Sequence, residues 1–174
     1  MNYYFDSASD GRIALNTPMN EFLTYTGLEP ITSTVDSENV VLYYGDSSET
    51  ITITNAGGGM TTVDSTAGEM LTFIDPTDVL LLNAGGGDDI INIDSLAANY
   101  TGELRIVGGD DDDTLNVNTS VSLSSDKYLV FCRRYQSERR QHYDQRLCLA
   151  VLLWRCHAGR RYCHQQYRRR GDLF

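Results

Sequence analysis

Six aspartates stand at two glycine corners: Asp88 and Asp89 follow Ala84-Gly85-Gly86-Gly87, and Asp110 to Asp113 follow Gly108-Gly109. Carboxylates crowded onto tight turns suit calcium. The ion takes six to eight oxygens, mixing carboxylates with backbone carbonyls, and a glycine turn presents both. A structural period of 24 residues would set the second corner over the first. Adjacent strands of a stacked ladder lie about 4.8 Å apart, close enough for carboxylates of successive corners to share an ion. Asp88, Asp89, Asp110, Asp111, Asp112 and Asp113 are therefore the candidate metal ligands, and calcium is the expected ion. A plainer role stands beside this one, in which the acids only keep exposed turns hydrated and discourage stacking errors.

The elements that must hold these corners are written on either side of them. Leu80 to Asp94 reads LLLNAGGGDDIINID, and Leu104 to Asn118 reads LRIVGGDDDDTLNVN. Each is an apolar run, a corner, and a second run alternating apolar residues with Asn or Asp. Alternation at period two predicts a strand with one buried face. Glycines let the corner take positive φ, and aspartates keep it in water.

The unit recurs upstream. An acid opens the second run at Glu21, Glu49, Glu69, Asp89 and Asp113, with spacings of 28, 20, 20 and 24 residues. The following apolar pairs are Leu23 and Tyr25, Ile51 and Ile53, Leu71 and Phe73, Ile91 and Ile93, and Leu115 and Val117. Of these, Leu23, Ile51, Leu71, Ile91 and Leu115 are all expected to point inward. In the first run Val40 and Leu42 align with Leu80, Leu82, Leu104 and Ile106, whereas Met60 and Thr62 fit poorly. One such unit cannot bury its face, but a stack can. The expected fold is all-β, a mainly parallel β-helix or β-solenoid of about four to five rungs.

The net charge of −10 averages two unlike segments. Residues 1–131 carry 21 Asp and Glu against 3 Lys and Arg, and residues 132–174 carry 3 against 11, giving −18 and +8. All four cysteines, the three histidines and the tryptophan fall in the second segment. The expected division is an acidic β-solenoid over 1–131 and a basic Cys/Arg-rich tail over 132–174 that does not pack as a designed element. The start of the chain has neither the basic nor the apolar region of a secretory signal, and no apolar run is long enough for a membrane helix.

Three readings compete for the tail. Arginines interleaved with tyrosines suggest a nucleic-acid patch, which a strongly acidic neighbour would oppose electrostatically. Cys148, Cys156, Cys163, His157 and His164 suggest zinc, but the short Cys spacings of structural zinc sites are missing. The third reading is a change of frame. Every arginine codon has G in its second position, so reading one base later starts a codon with G. On that reading Gly159 to Arg170 allows GDDTVINNTGGG, the grammar of GGGDDIINID. The tail is then further repeats translated in the wrong frame, the one reading in which all levels of the sequence agree. No nucleic-acid partner is expected.

The passages YTGLEPI, TVDSTAGEMLTF, LLLNAGGGDDIINIDSL and LRIVGGDDDDTLNVN resemble the repeat regions of giant bacterial cell-surface proteins of planctomycete type. The glycine–aspartate corners are similar in style to hemolysin-type (RTX-like) calcium-binding repeats. The resemblance covers roughly residues 13–118. It implies a secreted or cell-surface setting, a structural or adhesive role, and cell-surface or matrix polymers as partners. The sequence departs from the RTX motif, G-G-x-G-x-D-x-U-x repeated every nine residues. Alanine stands at the first glycine position in AGGGDDIIN, Asp111 stands at the third in GGDDDDTLN, and the nine-residue period is absent. A regular calcium ladder does not follow, and isolated corner sites remain the expectation.

β-Helices also carry polysaccharide lyases and hydrolases, so a polysaccharide-processing enzyme is the alternative. The acidic segment offers only Arg12, Arg105 and Lys127 as cations and no histidine, which leaves little to protonate or neutralise an acidic sugar. No catalysis is expected. A last rung left uncovered would expose a strand edge, so edge-to-edge self-association is expected as well.

Overall fold

The computed structural model describes residues 1–14, 22–27, 30–121, 123, 127, 129–134, 148–155 and 164–168, with the backbone alone from residue 133 onward. Every element in them is a strand. In chain order these are β1 (Asn2–Phe5), β2 (Asp10–Ala14), β3 (Phe22–Thr26), β4 (Ile31–Ser33) and β5 (Asn39–Tyr43). Next come β6 (Thr50–Gly57), β7 (Met60–Ser65), β8 (Leu71–Ile74), β9 (Val79–Asn83) and β10 (Ile90–Ile93). Last are β11 (Glu103–Val107), β12 (Thr114–Val117), β13 (Leu129–Arg134), β14 (Cys148–Arg155) and β15 (His164–Arg168). They form two mixed sheets. A nine-stranded sheet runs β15-β14-β13-β11-β9-β5-β1-β2-β3, and a six-stranded sheet runs β12-β10-β6-β7-β8-β4. Among the described residues no helix is long and apolar enough to cross a membrane.

Each sheet holds a parallel block, and the core lies between them. In the larger sheet β5, β9, β11 and β13 pair in parallel, so that Val40, Leu80, Leu104 and Leu129 form one column and Leu42, Leu82, Ile106 and Phe131 the next. In the smaller sheet β6, β10 and β12 pair in parallel, aligning Ile51 with Ile91 and Leu115, and Ile53 with Ile93 and Val117. Period two sends every second residue of each strand into this core. Ile51, Ile53, Leu80, Leu82, Ile91, Ile93, Leu104 and Ile106 are fully buried, and each such burial stabilises by about 1.5–3 kcal/mol.

The register between units differs from the expected one at two places. The segment opened by Glu69 is not a rung between Glu49 and Asp89, because Ile51 pairs with Ile91 directly across a 40-residue step. The intervening residues make a meander: β7 runs antiparallel to β6, and β8 antiparallel to β7. Its hairpin turns on Gly57, Gly58 and Gly59, all at positive φ (81°, 65° and 77°). Met60 and Thr62 fit the first-run alignment poorly because they belong to a reversed strand of the other sheet. Leu71 and Phe73 are still fully buried, since alternation fixes the face and not the neighbour.

The second difference is at the start. β1 lies parallel to β5, but β2 and β3 follow as antiparallel strands. Tyr25 is buried, whereas Leu23, on the same side of β3, is 66% exposed. β3 is the outermost strand of its sheet, so this end of the strand gains no cover from a further neighbour. Leu115 and Val117 point inward but are only partly buried, because among the described residues β12 ends the smaller sheet. Glu21 lies outside the described residues.

β13 runs across the compositional boundary at 131/132, pairing in parallel with β11 up to Val107 opposite Cys132. Contrary to the expectation that the tail would not dock, the backbone of β14 and β15 extends the larger sheet by two antiparallel strands.

Candidate metal corner and its ladders

The corners are built on a column of glycines. Gly85 and Gly109 take φ of 98° and 112°, and a Cβ on either would lie 1.8 Å from the carbonyl oxygen of the glycine one rung before, Gly45 or Gly85. That closeness lets the Gly86 N–H donate to Gly45 O and the Asp110 N–H donate to Gly85 O, both at 3.1 Å. Two residues on, Gly87 and Asp111 occupy equivalent places and both have positive φ, 93° and 74°. Aspartate tolerates the left-handed region better than most side chains, so it can stand where the preceding rung has glycine.

The structure divides the six candidate ligands into two sets. Asp88, Asp111 and Asp112 are exposed and Asp110 is half-buried. These outer acids already serve the stack: the Asp88 N–H donates to Ser48 Oγ (3.0 Å), the Asp112 N–H to Asp88 Oδ1 (2.9 Å) and the Gly87 N–H to Asp111 Oδ2 (3.3 Å). Each bond to a carboxylate spends one of its oxygens on the neighbouring rung. Among the described residues no three acids, histidines or cysteines converge as a metal-binding group, so an ion at the corner would draw on carbonyls and water for most of its shell.

Asp89 and Asp113 turn inward and are 1% and 4% exposed. They continue a column that begins at Glu49, itself 4% exposed. The Glu49 N–H donates to Asp89 Oδ1 (2.8 Å), and the Asp89 N–H donates to Asp113 Oδ1 (3.2 Å). Ser65 Oγ donates to Glu49 Oε2 at 2.8 Å. Asp89 and Asp113 thus each satisfy a corner N–H of the preceding rung that the strand pairing does not reach, the need that any buried donor must meet. The other oxygen of Asp89 is buried with no hydrogen-bond partner. Burial pushes the Asp89 carboxyl up to about 7, helped by the charges of Asp113, Glu49 and Asp88 and opposed by the Glu49 N–H. Burial raises Glu49 as well, with the Ser65 hydroxyl acting against it.

Glu49 and Ser48 were not among the candidates, yet both hold the corner of Asp88 and Asp89. The signal was the recurrence of an acid at the opening of each second run. Glu49, Glu69, Asp89 and Asp113 are all buried, so the recurring acid marks an inward position rather than a wet turn.

A third ladder runs along the outer face of the smaller sheet. Asn116 Nδ2 donates to Asn92 Oδ1 at 2.9 Å, and Asn118 Nδ2 donates to Asp94 Oδ1 at 2.7 Å. In the tail, Cys156, His157 and Cys163 and the side chains of Cys148 and His164 lie outside the described residues. No family model, curated protein or solved structure matches this chain.

Proposed function

We propose that this chain is part of a large secreted or cell-surface repeat protein, a β-solenoid whose role is structural or adhesive rather than catalytic. The observation that carries the reading is the in-register stacking of the parallel blocks, with corner acids repeated rung on rung. Val40, Leu80, Leu104 and Leu129 align, and Glu49, Asp89 and Asp113 repeat one hydrogen bond between successive rungs. A unit that bonds only to its neighbours can be multiplied without redesign, which suits a long stalk or matrix protein. The resemblance to giant surface proteins points the same way and supplies the expected partners, cell-surface or matrix polymers.

Calcium at the Gly-Asp corners belongs to this proposal. Asp88, Asp110, Asp111 and Asp112 gather negative charge on adjacent turns, and an ion that bound only the folded chain would stabilise it by linkage. Millimolar calcium is expected to raise the melting temperature of the chain more than the same concentration of magnesium. Asp111→Asn with Asp112→Asn should remove the difference while leaving the apo melting temperature nearly unchanged, since asparagine also tolerates positive φ. Equal shifts with both ions would leave the acids as solubilising corners and the protein as a plain structural repeat.

The proposal extends to the tail as repeats read in the wrong frame. Parallel pairing of β13 with β11 holds through Cys132, and in the antiparallel pairing of β13 with β14 the register shifts between Arg133 and Arg134. Those two arginines follow Cys132 as Gly108 and Gly109 follow Val107, its partner on β11. Read one base later, both arginine codons begin with G and both allow glycine. On this reading arginine stands where the corner requires glycine, and the strand runs on through Arg134 into an antiparallel pairing with β14.

A further inference from the structure

We infer that the open edge of β12 receives, in parallel, one more strand of repeat sequence, and that it selects asparagine at the two positions in line with Asn116 and Asn118. This goes beyond the surface-protein reading and rests on the ladder alone, so either can fail without the other.

Among the described residues β12 ends the smaller sheet. The Thr114 and Asn118 N–H groups donate to Asp89 O and Ile93 O of the rung before. In a parallel pair alternate residues point to opposite sides, so Leu115 and Val117 turn their N–H and C=O to the open side. Leu115 and Val117 are also the only partly covered ends of columns in which Ile51, Ile53, Ile91 and Ile93 are fully buried. Among the described residues the edge therefore lacks both backbone partners and a covering apolar pair.

What would fit there is set by the side-chain ladder, which has a direction. Asp94 has only acceptor oxygens when ionised, so the amide of Asn118 must donate to it across their 2.7 Å contact. Asn116 donates to Asn92 in the same sense. β12 gives both amide N–H groups to β10 and keeps its own two Oδ1 atoms for a strand beyond it. At the open end Asn116 and Asn118 offer two oxygens in one rank. A strand bearing asparagine at both places supplies donors, whereas aspartate would set acceptor against acceptor. The apolar residues beside them must alternate, as Leu115 and Val117 do. The occupant is thus a Φ-Asn-Φ-Asn strand, another repeat of this kind.

The test is a labelled nine-residue peptide with the sequence of residues 110–118, carrying Asp110→Ser, Asp111→Ser and Asp112→Ser to lower its charge, titrated against the intact chain by fluorescence anisotropy. Saturable binding is expected, with new hydrogen-exchange protection at the Leu115 and Val117 amides. Changing both asparagines of the peptide to aspartate should weaken binding about tenfold, because two donors are lost and acceptor is set against acceptor at both places. In the chain, Val117→Pro removes an outward N–H without touching the bonds to β10, and it should abolish binding with the circular dichroism unchanged. The peptide comparison needs no change to the protein and stands if that variant misfolds. Absence of saturable binding, equal binding of the aspartate peptide (edge pairing through the backbone only), or protection elsewhere than Leu115 and Val117 would each overturn the inference.

Discussion

A buried carboxylate is a costly way to satisfy one backbone N–H, because burial penalises its charge. Asp89 lowers that cost by keeping its proton to a higher pH than a free carboxyl. It is 1% exposed, one oxygen accepts the Glu49 N–H, the other has no partner, and its carboxyl is raised to about 7. The consequence for stability has a definite sign. Between its ordinary value near 3.8 and about 7, the folded chain binds a proton that the unfolded chain has released. Stability therefore falls as pH rises through this window, by at most about 1.4 kcal/mol per pH unit, and levels off above it. Glu49, raised by burial too, acts in the same direction. Asp89→Asn keeps an oxygen for the Glu49 N–H and cannot ionise. Urea unfolding at steps from pH 4.5 to 8 should show the wild type losing ground to this variant up to about pH 7. A difference that stays constant over the range would mean that Asp89 is ionised throughout.

At the scale of elements, position in the stack should decide what a side chain contributes. Ile91 lies between Ile51 and Leu115 and is fully buried, while Leu115 lies in the last strand and is partly open. Ile91→Ala should cost about 2–5 kcal/mol, and Leu115→Ala roughly half as much or less, for it loses less buried area. Chemical denaturation of the two variants checks this, and equal losses would mean that the edge of β12 is covered after all. The same strands show what the sequence could tell. Apolar alternation identified the inward residues of β5, β9, β10 and β11, and it aligned Val40 and Leu42 with Leu80 and Leu82 correctly. Strand direction was not legible. The pentad Asn-Ala-Gly-Gly-Gly occurs at residues 55–59 and again at 83–87. Both copies begin alike, with the asparagine side chain accepting the N–H two residues on (Gly57 N to Asn55, 2.9 Å; Gly85 N to Asn83, 3.3 Å). The first then reverses into β7 with three consecutive glycines at positive φ, whereas in the second Gly85 and Gly87 take positive φ and the chain crosses to the other sheet. The next three residues are Met60-Thr61-Thr62 in one copy and Asp88-Asp89-Ile90 in the other. Only the second supplies an acid to cap the preceding rung. Local pattern gave the turn and the face, and a contact 40 residues away determined the partner. For the same reason the six corner aspartates looked like one site in the sequence. Period two places Asp88 and Asp89 on opposite sides of one chain, one toward water and one toward the core.

The whole molecule is balanced at one end and uneven at the other. Beyond β5 in the larger sheet and β6 in the smaller, each sheet carries three more strands on the N-terminal side, β1, β2 and β3 in one and β7, β8 and β4 in the other. On the opposite side the larger sheet continues through β13, β14 and β15, while among the described residues the smaller sheet stops at β12. Under the proposed solenoid reading, a chain that alternates between sheets should lengthen both together. The imbalance begins one residue after Cys132, where the proposed repeat would place a corner and the chain has Arg133 and Arg134. Under the frame reading, the strand that belongs on β12 is encoded but not translated. Restoring the frame by one base immediately after the Cys132 codon should let the chain turn at that corner and lay the next strand on β12. The repaired chain should expose more surface on unfolding, giving a larger urea m-value, and melt at a higher temperature because Leu115 and Val117 become covered. It should also lose any concentration-dependent association that comes from the open edge. An unchanged m-value with continued association would place the fault elsewhere than the frame, and the basic strands β14 and β15 would stand as a native part of the sheet.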